Sequence, residues 1–270
     1  MLFFSSFDEI IICALFFIFD YFSTRFQMKS FLIVIVIFNL FVYVESVNVS
    51  VLYKLKEKII GNGSIAPYNT IIGYASTNVA SYSNGDDHHT PIESDYLYKV
   101  YIGMKWQCVE FARRWLFLRK GCVFHQIVGA ADIWTQVYNV QRVVDKKCFN
   151  FTKYPNGNRS PPLNETLLIY DRSSKSSSYG HVAVIVDVLP NSIRIAEQNY
   201  NDYYWTGNYS RELRYVLKDG LFYIEDEMPV LGWMQINDHN QTKPLDQQTI
   251  YQIIKLNGTS PDFICHNNNI

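Results

Sequence analysis

The chain has 270 residues, 48% of them hydrophobic and 16% aromatic, enough for one substantial core. A formal net charge of −1 with no basic run excludes the electrostatic footprint of a nucleic-acid binder. No repeat period is visible, which excludes solenoid architectures.

The first 46 residues read as a leader. Ile10 to Phe19 is one apolar run, broken at Asp20, and Met28-Lys29-Ser30 precedes a second from Phe31 to Phe38 that resumes from Leu40 to Val44. From Met28 onward this is a basic start, an apolar stretch and a cleavage zone near Glu45-Ser46, the pattern of a secretory signal peptide. Met28 is therefore an alternative start. The competing reading is an uncleaved anchor, although Phe31 to Val44 is short of the roughly 20 residues of a span. Membrane contact is expected only if the leader is retained. Secretion or delivery to an endomembrane lumen, such as a lysosome or phagosome, is the expected route. Asn48, Asn62, Asn150, Asn158, Asn164, Asn208, Asn240 and Asn257 each open an Asn-x-Ser/Thr sequon, which supports that route only together with the leader.

Residues 47–65 form an extension, and 66–236 form the expected domain. Pro67 to Ser83 is short and β-prone, and Asn84 to His89 is polar and turn-like. His88-His89 is no metal signal: adjacent histidines diverge on a strand and lack helical ligand spacing. No metal is expected.

Cys108, Ala112, Trp115 and Leu116 then recur at helical spacing, and Gly121 is a natural stop, predicting a helix of about 108–120. Cys108 falls on its first turn, where free N–H groups and the helix dipole favour a thiolate nucleophile. The competing reading is a small buried hydrophobe. Arg113 lies just over one turn further on, placed either to clamp a substrate carboxylate or to pair with Glu110.

Ile127 to Val144 is predicted as a second helix. Loops follow around Tyr154–Asn158 and Ser160–Pro162, Thr166–Tyr170 starts a sheet, and a Ser-rich loop from Arg172 to Ser178 leads to His181. Tyr179–Val188 and Ser192–Asn199 are β-rich runs joined by Leu189-Pro190-Asn191, read as a hairpin. A three-residue connection sets Val188 opposite Ser192 and His181 opposite Asn199, with Glu197 diagonal to His181 on the same face. A two-residue connection would move Glu197 to the other face, so a catalytic reading needs the odd length or a bulge. Cys108, His181 and an acceptor from Glu197 or Asn199 would then supply nucleophile, base and orienting group. Leu213–Leu217, Leu221–Glu225 and Val230–Ile236 continue an antiparallel meander, and residues 237–270 read as a weakly ordered polar tail.

Cysteine arithmetic leaves Cys108, Cys122, Cys148 and Cys265 once the leader is removed. With the nucleophile free, at most one disulfide remains. Cys122–Cys148 is the pairing expected first, with free buried thiols as the alternative.

Gly103-Met104-Lys105-Trp106-Gln107-Cys108-Val109-Glu110-Phe111-Ala112-Arg113-Arg114-Trp115 resembles the nucleophile helix of the CHAP amidases, in the glutathionylspermidine amidase branch. Gly180-His181-Val182-Ala183 and Arg194–Asn199 resemble its histidine and acid motifs, and Leu231-Gly232-Trp233-Met234 its last strand. The similarity runs from about Ala66 to Ile236. It implies an α+β, papain-like fold, with helices packed on an antiparallel sheet of about five to six strands. It also implies a Cys108-His181-Glu197 triad, an oxyanion donor at Gln107, and substrate contacts from Arg113 (to the glutathione part) and Asn199. No organic cofactor is expected.

The substrate that the branch implies is glutathionylspermidine, cleaved to glutathione and spermidine. The amidase is often fused to an ATP-dependent ligase, and the chain stops too soon after Met234 to hold one, so hydrolysis alone is expected. A leader would carry the protein away from a cytosolic substrate, which favours bacterial cell-wall peptides as the alternative. A binding module with a dead site is the third reading, opposed by the intact Cys108, His181 and Glu197.

Overall fold

The computed structural model describes residues 65–85, 93–173, 178–256 and 263–265. The leader, residues 47–64, His88-His89 and the sequons at Asn48, Asn62 and Asn257 lie outside them. The elements in order are β1 (Ile71–Tyr74), β2 (Ala80–Tyr82), β3 (Ser94–Leu97), β4 (Val100–Met104), α1 (Cys108–Lys120), β5 (Cys122–Val123) and α2 (Asp132–Gln136). There follow β6 (Asn139–Arg142), β7 (Cys148–Pro155), β8 (Thr166–Tyr170), β9 (His181–Val188), β10 (Ser192–Ala196), β11 (Arg211–Lys218), β12 (Leu221–Ile224), β13 (Val230–Ile236) and α3 (Gln247–Lys255). The architecture is α+β: an antiparallel sheet ordered β12-β11-β10-β9-β8-β13-β7-β6-β5, with β1–β2 and β3–β4 as separate hairpins. With nine strands among the described residues, the sheet is wider than expected.

Helix α1 is the central element. Gly121 closes it in the left-handed conformation (φ 66), its N–H donating to the Leu116 and Phe117 carbonyls, a geometry only glycine adopts without penalty. Phe111, Ala112, Trp115 and Leu116 pack against Val182, Val184, Ile169 and Met234 on one sheet face. Phe117 faces the other way, into a cluster with Val100, Ile102 and Val123. The helix is therefore covered on more than its apolar stripe. Each fully buried Leu or Phe contributes roughly 1.5–3 kcal/mol, so this packing fixes α1, and Cys108 at its start, on the sheet. The second sheet face is covered too, by a cluster including Leu168, Ala183, Ile185, Ile193, Ile195 and Trp233. Burial on both faces explains why β9 reads as an unbroken apolar run rather than an alternation.

Three expectations are corrected. The second helix is confined to Asp132–Gln136; Val137 turns extended (φ −95, ψ 116), and the chain enters β6, which pairs with β5 and β7. Val137, Val140, Val143 and Val144 are β-branched, and sheet pairing overrides the near-helical spacing of the apolar positions.

The described residues of the tail are ordered. Asp246 caps α3 by accepting from Thr249 N–H at 2.7 Å, and Ile253 is buried with Val100, Ile102 and Phe117.

The disulfide joins Cys148 to Cys265, while Cys122 is a free, buried thiol that burial pushes up to about 12. Cys122 on β5 and Cys148 on β7 are separated by β6, and Cys148 Sγ is taken by the returning C-terminal segment, where Ile264 N–H also donates to Gln141 Oε1 at 2.8 Å.

Candidate active site

The site is assembled where the start of α1 meets the start of β9 and the chain leaving β10. At the hairpin turn the register is one residue off the expected one, since Val188 lies opposite Ile193. A bulge at Val186 restores it, setting Ile185 opposite Ile195 and Val184 opposite Ala196. Continued one residue past Ala196, that register returns Glu197 to the side of His181, whereas Asn199 lies beyond the strand in the left-handed conformation (φ 58) and does not pair with His181. His181 Nε2 meets Glu197 Oε2 at 2.9 Å. Cys108 is the other group acting on the imidazole, favouring its protonated form.

Gly180 delivers His181 to this point. Its φ is 73, and a Cβ there would stand 2.6 Å from Ala131 Cβ and 2.8 Å from the Tyr170 carbonyl oxygen. No other residue fits.

Electrostatics and burial oppose each other at this triad. Burial alone would lower the pKa of His181, but its interactions with Cys108 and Glu197 outweigh that and raise it to about 9. Burial would likewise raise Glu197; hydrogen bonds from His181 and Arg211 and the Arg211 charge overcome it and lower it to about 2. Glu197 is only 1% exposed, so these partners are what keep it ionised.

Several of them escaped the sequence reading. Arg211 donates through Nε to Glu197 Oε1 at 2.6 Å and through Nη2 to Oε2 at 3.1 Å. Its Nη1 donates to Asp226 Oδ1 at 3.0 Å, and Ser210 Oγ donates to Glu197 Oε1 at 2.9 Å. Tyr170 and Tyr200 flank the His181 ring at 5.6 and 5.7 Å between centroids. Nothing in the sequence ties Arg211 or Asp226 to Glu197, because the contact needs the β10–β11 pairing.

A second buried network joins the nucleophile helix to the acid strand. Arg114 Nε donates to Glu110 Oε1 at 2.6 Å, and Gln198 Nε2 donates to Glu110 Oε2 at 2.7 Å. Arg114 Nη2 donates to Gln198 Oε1 at 3.0 Å. Glu110 thus pairs with Arg114, not Arg113. Arg113 is 4% exposed and donates to the backbone carbonyls of Ile102 (2.6 Å), Tyr101 (3.0 Å) and Phe124. Burial lowers its pKa to about 10. In place of the expected clamp or Glu110 pair, most of its fork holds main chain together.

Gln107, the N-cap residue, makes no side-chain capping bond. Its Oε1 instead accepts from Asn199 Nδ2 at 2.7 Å, so Asn199 contacts Gln107 directly. A cavity of about 430 Å³ opens beside Cys108, lined by Gln107, Arg113, Asn199, Tyr101, Gln126 and Tyr179, among others. Among the described residues no cluster of three or more His, Cys, Asp or Glu is placed to hold a metal ion.

Residues 99–199 match the CHAP domain, a stretch that contains Cys108, His181, Glu197 and Asn199. The bifunctional glutathionylspermidine synthetase/amidase of Escherichia coli (strain K12) is 34% identical over 206 residues, covering 72% of this chain and 33% of that protein. Trypanothione synthetase of Crithidia fasciculata is 37% identical over 175 residues, 62% of this chain and 26% of that protein. The chain thus spans a third or less of the length of these relatives. Its nucleophile helix, its histidine strand and its matched region agree: residues 99–199 carry a CHAP domain, homologous to part of these larger proteins.

Proposed function

We propose that the chain hydrolyses an amide through Cys108, His181 and Glu197, and that the amide is glutathionylspermidine or a close analogue. The observation that carries the triad is His181 Nε2 held by buried Glu197 at 2.9 Å, beside a cavity lined by Cys108. His181 takes the thiol proton, and the thiolate bonds to the amide carbon. The oxyanion that forms is met by the Cys108 backbone N–H, unpaired at the helix start, and by Gln107 Nε2. Protonated His181 gives its proton to the departing amine as the C–N bond breaks, leaving a thioester. Water, deprotonated by His181, then cleaves the thioester to release the acid and restore the thiol. Glu197 holds the imidazole in the required tautomer. The substrate is supported by the relatives, whose names carry glutathionylspermidine synthetase/amidase and glutathionylspermidine synthase.

A second substrate reading rests on the Cys148–Cys265 disulfide, since such bonds persist in oxidising compartments. Asn150, Asn164, Asn208 and Asn240 are exposed, as glycan acceptors must be, whereas Asn158 is half-buried with Oδ1 accepting from Ser160 N–H. With the leader, these features support a secreted or lumenal glycoprotein that meets cell-wall peptides. Hydrolysis of glutathionylspermidine and of short wall peptides, beside a Cys108→Ala control, separates the two. Spermidine release lost in the control supports the first reading. Cleavage of wall peptides alone replaces it with the second, and no cleavage by folded protein leaves a binding module.

A further inference from the structure

Asn84, which directly follows the Ser83 end of the β1–β2 hairpin, has no place in the triad, yet it touches the site through a chain of side-chain amides. Asn84 Nδ2 donates to Asn199 Oδ1 at 2.9 Å, and Asn199 Nδ2 donates to Gln107 Oε1 at 2.7 Å. Each amide has a donor end and an acceptor end, so three in a row have only two self-consistent polarities. In the observed one the Gln107 carbonyl faces Asn199, and its Nε2 is left for the cavity it lines beside Cys108. In the reverse one Gln107 would turn Oε1 to the cavity and repel an oxyanion.

The choice between them is made at Asn84. It is 6% exposed, and its backbone N–H is held by Asp202 Oδ1 at 2.6 Å. The observed polarity leaves Asn84 Oδ1 buried without a partner. The reverse would leave its NH2 there, two unmet donors instead of one acceptor, which is the costlier orphan.

We propose that Asn84 is a positioning residue that sets the polarity of this relay and so aims the Gln107 amide at the oxyanion. The proposal rests on the amidase reading and on Gln107 as its oxyanion donor. Asn84→Asp is the decisive variant. An ionised carboxylate only accepts, so it holds Asn199 in the reversed orientation and turns Gln107 Oε1 to the cavity.

The test uses two reactions of Cys108 in the full chain. In acylation by p-nitrophenyl acetate, Sγ bonds to the acetyl carbon and p-nitrophenolate leaves with the bonding pair, through an oxyanion. In alkylation by iodoacetamide, Sγ displaces iodide and no oxyanion forms. Asn84→Asp should slow acylation by about 10²–10³-fold, the cost of losing one oxyanion donor, and leave alkylation at the wild-type rate. On a Gln107→Ala background Asn84→Asp should add no further loss.

Wild-type acylation by Asn84→Asp overturns the relay. So does an equal loss of alkylation, which marks structural damage, and so does an independent loss on the Gln107→Ala background. Wild-type acylation by Gln107→Ala itself removes the oxyanion role, and the relay falls with it. A wild type that is alkylated but never acylated fails at the amidase reading, and the two failures are thus told apart.

Discussion

At the scale of single residues, His181 and Glu197 tie catalysis to pH. The folded pKa of His181, about 9, lies above its ordinary 6.5, so its contribution to stability is complete below about 6.5 and is lost as pH rises through about 9. That of Glu197, about 2, lies below its ordinary 4.5, so its contribution is complete above about 4.5 and is lost as pH falls through about 2. From this pair the melting temperature should be highest between about pH 4.5 and 6.5 and should decline toward pH 9. Calorimetry across that range is the check; a melting temperature still rising at pH 9 contradicts the assignment. Steady-state rates provide a second check. Cys108→Ala and His181→Ala should abolish hydrolysis, while Glu197→Gln, which keeps the imidazole but weakens its orientation, should cost less than either. An unchanged rate for Glu197→Gln would remove it from the triad.

At the scale of elements, the site depends on how α1 is fastened to the chain leaving β10. Glu110 is fully buried, with Arg114 and Gln198 as its partners. Removing one partner of a buried ion pair leaves an uncompensated charge, so Arg114→Ala should lose about 3–5 kcal/mol of stability by denaturant titration. A loss under 1 kcal/mol would show that the network does not hold the helix. Gly180→Ala should lower both stability and activity, because its Cβ has no room beside Ala131.

The α1 helix was legible in the sequence, since local propensity, apolar spacing and the Gly121 stop all agreed. The hairpin was legible as well, but its register was right at Ile195 and Ala196 only because a bulge at Val186 offset a turn one residue longer than expected, and the pairing ends before His181 and Asn199. What stayed hidden were contacts made between distant strands. Arg211 reaches Glu197 across β10–β11, and Arg114 takes the carboxylate that sequence spacing also offered to Arg113. Valine-rich residues 137–144 satisfy helical spacing as readily as strand composition, and only their pairing partners decide.

At the scale of the whole molecule, the described C-terminal residues are part of the fold. Leu245 N–H donates to the Leu118 carbonyl at 2.9 Å, α3 buries Ile253, and Cys265 closes a loop of 117 residues onto β7. A disulfide across a loop of that size typically stabilises by about 2–4 kcal/mol. Cys265→Ser should therefore lower unfolding free energy by that amount while leaving the rate per folded molecule unchanged, since neither cysteine of the bridge touches the triad. Denaturant titration beside an activity assay reads both.

The proposed hydrolysis requires Cys108 to carry the acyl group. The direct measurement is rapid acid quench of the protein with glutathionylspermidine or wall peptides, followed by peptide mass mapping. The triad predicts a transient acyl adduct on Cys108, absent from Cys108→Ala, which should cleave neither substrate. Amide cleavage that persists in Cys108→Ala, or folded wild-type protein that forms no adduct and cleaves neither, would contradict it.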